Sequence, residues 1–218
     1  MMRRFLIAAL VLALPMVARS GEILDRLAAT VNGHAILQSD VEEELHYESF
    51  AAKRPLSQIT AEDRKTALNR LIDQELLSQQ MHSRDFTPAE PQEIEKAMRS
   101  FQAGYSEGAG WSAALASYGM SESTISSRVE AELNQLRLID LRLRPSIQID
   151  SDSITAYYQK ELLPKLPPGQ HSSLQESTPA IRELLTQQKI NESLESWLEG
   201  LRAQAEIHRF DNAAGTLK

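Results

Sequence analysis

Hydrophobic residues follow a two-residue period near the start of the chain and a helical period through most of the rest. The segment Ile23–Leu37 has the alternation typical of β-strands, and Asn32-Gly33 interrupts it. This pair favours a two-residue type I′ turn, because both positions need a positive φ. Ser39 and Glu42 have the spacing of a capping box, which predicts that a helix begins there. The first predicted elements are therefore a β-hairpin and a helix.

Five further helices are predicted across the middle of the chain from apolar residues at helical spacing. Their predicted starts are Thr60 with Asp63, Thr87-Pro88, Trp111, Ser121 or Ser123, and Ser151 or Asp152. The helix from Trp111 is expected to end at Gly119 in the usual glycine position. The next helix has the widest apolar arc, which predicts that it packs between other helices.

The end of the chain predicts a long helix followed by a short strand. Pro164–Thr178 contains three prolines and a glycine, so it is predicted to be a linker. Pro179 then lies near the first turn of the closing helix, where proline is tolerated, and Ala205–Phe210 is the predicted strand. A strand needs a partner, and the opening hairpin is the best one available. The predicted fold is therefore mostly α, with a small antiparallel β-sheet that joins the two ends.

The first twenty residues have the features of a secretory signal peptide. Arg3 and Arg4 precede a short apolar core, and Ala18-Arg19-Ser20 places small residues at the cleavage positions. An uncleaved anchor is the alternative. Cleavage would remove three arginines and no acidic residue, which changes the net charge from −7 to −10. Such an acidic chain is not expected to bind nucleic acid, and no later segment predicts a membrane span.

Residue types that support catalysis or metal binding do not occur in productive patterns. The chain has no cysteine, which excludes disulfides, thiolate ligands and thiol catalysis. Its five histidines form no i, i+3 or i, i+4 pair, so no metal site is predicted. Three consecutive glutamates, Glu42 to Glu44, point in different directions on a helix and are expected to form a solvated face. Neither a catalytic residue nor a cofactor is predicted.

Three segments of the chain carry a resemblance to a known family. They are LDRLAATVNGHAILQSDVEEEL (Leu24–Leu45), ALNRLIDQELLSQQ (Ala67–Gln80) and IRELLTQQKINESLESWLEGLRAQAEI (Ile181–Ile207). Together, and in this order, they resemble the SurA-like family of periplasmic chaperones, which includes PpiD and PrsA. Two further segments, Trp111–Val129 and Ile147–Tyr158, look like later helices of that family. The resemblance covers most of the chain after residue 20.

The resemblance implies a periplasmic location and a domain organisation. After the signal peptide at residues 1–20, residues 21–145 would form an N-terminal chaperone domain. Residues 146–177 would form a helix and a Pro-rich linker, and residues 178–210 would supply the helix and strand that complete the domain. Residues 211–218 have nothing to bury and are expected to be disordered.

The chain departs from the family pattern in one respect. Members usually insert one or two parvulin prolyl-isomerase domains, each of about 90–100 residues, before the closing helix, and the interval here is too short for a domain. The resemblance therefore implies a chaperone that binds unfolded exported or outer-membrane polypeptides without catalysis. Two alternatives stay open. One is residual prolyl isomerisation, and the other is a structural protein that dimerises by exchanging its closing helix and strand.

The candidate client-binding residues are apolar side chains near glycines and loops. Methionine and aromatic groups suit a surface that accepts many sequences, because methionine repacks and tyrosine offers both a ring and a hydroxyl. The candidates are Phe86, Met98, Phe101, Tyr105, Tyr118 and Met120. The alternative is that they fill the core between helices, and this alternative is favoured for Met98 and Phe101. Trp197 is expected to lie in the core.

Overall fold

A computed structural model of the protein describes residues 25–82, 86–105, 109–166 and 172–210. These residues form seven α-helices and three short β-strands. The helices are Gln38–Ala51 (α1), Ala61–Gln80 (α2), Pro91–Gln102 (α3), Ala109–Ser117 (α4), Glu122–Leu143 (α5), Ser151–Tyr157 (α6) and Leu174–Gln204 (α7). The strands are Leu27–Val31 (β1), His34–Leu37 (β2) and Ile207–Arg209 (β3). The predicted signal peptide at residues 1–20 and the predicted tail at residues 211–218 lie outside the described residues.

The sheet has the order β2-β1-β3, and both outer strands run antiparallel to β1. The last strand therefore pairs with the first, and Thr30 lies opposite His208. Asn32 and Gly33 connect β1 to β2 with φ values of 52° and 85°, as a type I′ turn requires. The predicted turn and the predicted pairing of the two ends are both confirmed, although β3 is shorter than Ala205–Phe210.

Asn32 connects the turn to two other parts of the protein. Its Nδ2 donates to Oε1 of Gln79 on α2 at 2.7 Å. Its Oδ1 accepts a hydrogen bond from the N–H of Glu206 at 2.8 Å, and its own N–H donates to the Glu206 carbonyl at 2.9 Å. Close by in the chain, Arg202 of α7 forms an ion pair with Asp73 of α2, with Nε 2.7 Å from Oδ1. The end of α7 and the start of β3 are thereby held against the hairpin and α2.

Two hydrophobic cores share the helix α1. The first lies between the sheet, α1 and α2 and contains Ala28, Ala29, Val31, Ile36, Val41, Leu45, Ala67, Ile72 and Leu76. The second lies between α1, α3, α4 and α5 and contains Tyr47, Phe50, Met98, Trp111, Leu115, Met120, Ile125 and Val129. Beyond the second core, α5 and α6 both pack on α7. The buried apolar residues of that region are Leu138, Leu143, Ile154, Ile181 and Ile190.

The predicted caps of α2 and α5 are confirmed, whereas the predicted cap of α1 is wrong and α3 begins at Pro91 rather than at Thr87-Pro88. Thr60 caps α2 and Ser121 caps α5 through bonds from the backbone N–H three residues on. At α1, however, Asp40 rather than Ser39 makes the capping bond, by accepting the N–H of Leu37 at 2.8 Å. At α6 the cap is Asp150, whose Oδ1 accepts the N–H of Ser153 at 2.6 Å. Asp150 acts as an N-cap residue, whereas Asp40 lies in the first turn of α1 and binds the N–H of Leu37, the residue before the helix.

The closing helix begins earlier than predicted. Ser173 caps α7 by accepting the N–H of Glu176 at 3.3 Å, and Glu176 accepts the N–H of Ser173 at 2.9 Å. This reciprocal capping box places the helix start at Leu174, so the predicted linker is too long at its end and Pro179 lies inside the helix. Trp197, expected in the core, is only half-buried.

Substitutions of Asn32 test how much its connections stabilise the fold. Asn32→Gly keeps a residue that tolerates positive φ but removes both side-chain hydrogen bonds, so the free energy of unfolding should fall by about 1–2 kcal/mol. Asn32→Ala also places an alanine in the left-handed region, so its free energy of unfolding should be about 1 kcal/mol lower than that of Asn32→Gly. Urea denaturation followed by circular dichroism measures both. If Asn32→Gly were as stable as the unchanged protein, the side-chain hydrogen bonds of Asn32 would not stabilise the fold.

Candidate functional site

Helix α5 is bordered by three open grooves, which together form the candidate functional site. The α5–α7 groove has a volume of about 500 Å³, and its lining residues are Glu93, Leu133, Leu136, Arg137, Ile139, Asp140, Leu141, Gln187 and Ile190. The α3–α5 groove, of about 530 Å³, is lined by Pro91, Ile94, Glu95, Met98, Arg99, Gln102, Glu122 and Ser126. The sheet-side groove, of about 410 Å³, is lined by Ala35, Ile36, Asp40, Leu71, Gln74, Glu75, Ser78, Met81, Arg128, Ala131, Asn134 and Gln135.

Among the three grooves, the α5–α7 groove is the one lined by strongly exposed leucines. Leu136 is 61% exposed and Leu141 is 48% exposed, although both belong to the wide apolar arc of α5. On α7, Leu184 is 39% exposed, one turn before the groove residue Gln187. Exposed leucines on neighbouring helices leave an apolar surface that a partner could cover.

Charged residues at the edge of the α5–α7 groove already form ion pairs. Arg137 donates to Glu93, and this hydrogen bond lowers the pKa of the Glu93 carboxyl. Arg144 Nη2 lies 3.0 Å from Glu183 Oε1, and Arg144 also donates to Asp140. The Arg137–Glu93 pair is neutral, whereas the single positive charge of Arg144 faces two carboxylates, so the apolar surface lies beside a slightly acidic edge.

Most of the sequence-predicted client-binding residues lie around Phe50 in the second core. The Phe50 ring stacks on Tyr105 with centroids 5.2 Å apart and meets Tyr118 edge-on at 5.6 Å. Met98 and Met120 are buried, at 8% and 9% exposure, so the core-filling alternative describes both. The remaining candidates, Phe86, Phe101, Tyr105 and Tyr118, are half-buried. All of the candidates except Phe86 belong to the second core or pack against it.

A buried ion pair fixes α5 against α1 and α2. Glu44 is only 2% exposed, and the prediction of a solvated face at Glu42 to Glu44 is wrong for this residue. Arg128 of α5 donates to its carboxylate, and Arg70 Nη1 of α2 lies 3.7 Å from Glu44 Oε1. Burial raises the pKa of Glu44, and the positive charge of Arg128 opposes that effect. Helical periodicity alone could not reveal this contact, because the arginines lie far away in the sequence.

A second contact beside Glu44 strengthens the attachment of α5 to α1. Tyr47 Oη donates to Glu132 Oε1 at 2.6 Å, and the guanidinium of Arg128 lies 5.8 Å from the centre of the Tyr47 ring. Burial and the Glu132 bond raise the pKa of Tyr47. These contacts place the α5 residues that line all three grooves.

Within the described ranges, no group of three or more His, Asp or Glu residues could hold a metal ion. In the same part of the chain, no helix combines the length and apolar character needed to cross a membrane.

Comparison with known proteins gives the family. The model of the SurA-like N-terminal domain family matches residues 3–139, more than half of the chain, so the protein belongs to that family. No curated protein matches the sequence significantly. One similar solved structure comes from work on two structurally related SurA-like chaperones of Campylobacter jejuni, the virulence factor PEB4 and the periplasmic protein Cj1289.

That solved structure shares the fold of this protein. The TM-score is 0.52 at 12% sequence identity, and the match covers 86% of this chain and 100% of the other chain. It therefore extends well beyond the region that the family model matches. The resemblance stated from the sequence and the predicted fold class are both confirmed.

The raised pKa of Glu44 predicts a pH dependence of stability. A raised pKa in the folded state means that the contribution of Glu44 is full below the ordinary value of 4.5 and declines as the pH rises through the raised value. The unfolding free energy of the unchanged protein, minus that of Glu44→Gln, should therefore decrease as the pH rises above the ordinary pKa of 4.5. Chemical denaturation at several pH values measures this difference.

Asp63 supplies a control of opposite sign. Hydrogen bonds from Thr60 lower the pKa of the Asp63 carboxyl, so its contribution is present at neutral pH and is lost as the pH falls. The unfolding free energy of the unchanged protein, minus that of Asp63→Asn, should thus increase with pH. A pH-independent difference for Glu44→Gln, with the expected slope for Asp63→Asn, would show that Glu44 does not titrate as inferred.

Proposed function

We propose that the protein is a periplasmic chaperone that binds unfolded exported or outer-membrane polypeptides without catalysis. The observation that carries the proposal is the apolar α5–α7 groove with its exposed leucines, Leu136 and Leu141. Membership in the SurA-like N-terminal domain family and the fold shared with SurA-like chaperones support it. The predicted signal peptide at residues 1–20 supports the periplasmic location.

The groove suits weak binding of many different sequences. Burying about 60 Å² of leucine surface contributes roughly 1.5 kcal/mol, at about 25 cal/mol per Å². A few such contacts would bind a client weakly enough that it also dissociates readily, as a chaperone requires. The hydrophobic effect is also non-directional, so apolar side chains of many shapes would be accepted.

The candidate residues named from the sequence have a secondary place in this proposal. Phe101, Tyr105 and Tyr118 are half-buried and could extend the client surface beside the second core. Met98 and Met120 could reach a client only if α3 or α4 moved, because both are buried. The half-buried Phe86 lies just before α3 and is the remaining candidate.

An exchanged dimer is compatible with the same function. The pairing of β3 with β1 and the ion pair between Arg202 and Asp73 use contacts that two copies could make equally well with each other. Exchange of α7 and β3 would then bring together the grooves of two copies. Light scattering over a range of protein concentrations would reveal such a dimer.

Removing the exposed leucines tests the proposed client surface. The double variant Leu136→Ser, Leu141→Ser should lose most of its ability to slow aggregation of an unfolded outer-membrane protein, since each leucine accounts for about a tenfold change in affinity. Its melting temperature should stay close to that of the unchanged protein, because both side chains are exposed.

Leu163→Ser is the matched control for that experiment. Leu163 is 43% exposed but does not line the α5–α7 groove. This variant should slow aggregation as well as the unchanged protein does. If the double variant also retained full activity, the groove would not be the client site.

A separate assay distinguishes the chaperone from a prolyl isomerase. No acceleration of cis-to-trans conversion is expected in a protease-coupled assay on a short X-Pro peptide, since the chain leaves too little room for a parvulin domain. A rate above background that grows with the protein concentration would contradict a non-catalytic function.

A further inference from the structure

We propose that the sheet-side groove binds an extended, basic or uncharged polypeptide segment by pairing it with the free edge of β2. This inference rests on the proposed chaperone function and adds a second mode of client binding. β2 is an outer strand, and its residues Ala35 and Ile36 line the groove.

Ala35 presents an unused backbone donor and acceptor at that edge. In a two-residue hairpin the flanking pair, Val31 and His34, exchanges hydrogen bonds, so the N–H and C=O of the next residue point away from β1. The pairing of β1 agrees with this geometry. Thr30 lies opposite Ala35 of β2 on one side of β1 and opposite His208 of β3 on the other side. No described residue bonds to the outward groups of Ala35.

The opposite walls of the groove carry further hydrogen-bonding groups without partners. The side chains of Gln74 and Ser78 on α2 and of Gln135 on α5 line the groove, and none forms a hydrogen bond with another described residue. Amide side chains can donate and accept, so they can bind the backbone of a peptide whatever its sequence. An extended segment lying along β2 would place its outer backbone groups toward these walls.

The charge of the groove selects the segment that fits. Asp40 and Glu75 line it, and no lysine or arginine within the described ranges forms an ion pair with either of them, although His34 Nδ1 lies 3.7 Å from Glu75 Oε1. Arg128 also lines the groove, but Glu43 and Glu44 already neutralise it. A basic or uncharged segment is therefore favoured. Two copies pairing through β2 would bring their own acidic residues together, which disfavours a second copy as the occupant.

Binding of a short model peptide tests this inference. The probe is a fluorescently labelled peptide of alternating Thr, Val and Lys residues, compared with the same peptide N-methylated at alternate residues. N-methylation removes backbone donors and keeps the side chains, so one of the two N-methylation registers should weaken binding about tenfold. Replacing Lys by Glu in the peptide should also weaken binding, and this effect should shrink with added salt. Equal binding of the peptide and both N-methylated forms would overturn the proposal.

Ala35→Pro removes the outward donor from the protein itself. Proline is tolerated where the N–H of an outer strand faces away from the sheet, so the hairpin should form. Ala35→Val keeps the N–H and is the matched control. Ala35→Pro should bind the peptide about tenfold more weakly than Ala35→Val. If Ala35→Pro fails to fold by circular dichroism, the N-methylated peptides decide the question alone.

The outcomes separate this inference from the proposed function. A protein that neither binds the peptide nor slows client aggregation would contradict both. If clients and the peptide bind but Ala35→Pro and Ala35→Val bind equally, only the edge inference fails. A dimer that Ala35→Pro dissociates, together with unchanged peptide binding, would assign the edge to a second copy and also overturn the inference.

Discussion

Pairing of the last strand with the first is the interaction on which the rest of the structure depends. β3 contributes only three residues, yet it fixes the end of the 31-residue helix α7 against the hairpin and α2. From that anchor α7 runs back along the distal part of α5, where Ile190 and Leu138 are buried. Without the strand pairing, one wall of the α5–α7 groove would have no fixed position.

The position of α5 depends on a different kind of contact. Arg128 and Glu44 join it to α1 through a charge pair that is largely removed from water, and such pairs contribute more to orientation than to net stability. The helix then continues past the second core, where α7 covers only part of its surface. This explains why Leu136 and Leu141 are exposed although they continue the apolar pattern of buried residues such as Val129.

Local rules predicted those elements that depend on neighbouring residues. The Asn32-Gly33 turn, the Thr60 cap and the end of α4 before Gly119 follow from backbone preferences that any fold would share. The hydrophobic pattern of α5 could not show which of its leucines are covered by another helix. Helical spacing predicts the face on which a side chain lies, but it does not predict what packs against that face. The burial of Glu44 depends on residues 26 and 84 positions away. The sequence does contain the signal for the start of α7, since Ser173 and Glu176 have capping-box spacing, although the prolines before them favour a linker.

The two proposed binding modes meet on one helix. The sheet-side groove uses α5 residues from Arg128 to Gln135, and the α5–α7 groove uses residues from Leu133 to Leu141. At about 1.5 Å and about 100° per residue, the two stretches span roughly 20 Å of α5 and lie on opposite faces of the helix. A client long enough to pass around α5 could therefore bind through its backbone at β2 and through apolar side chains beside α7 at the same time. Linking two weak sites in this way raises the overall affinity, while each contact alone stays weak enough to release.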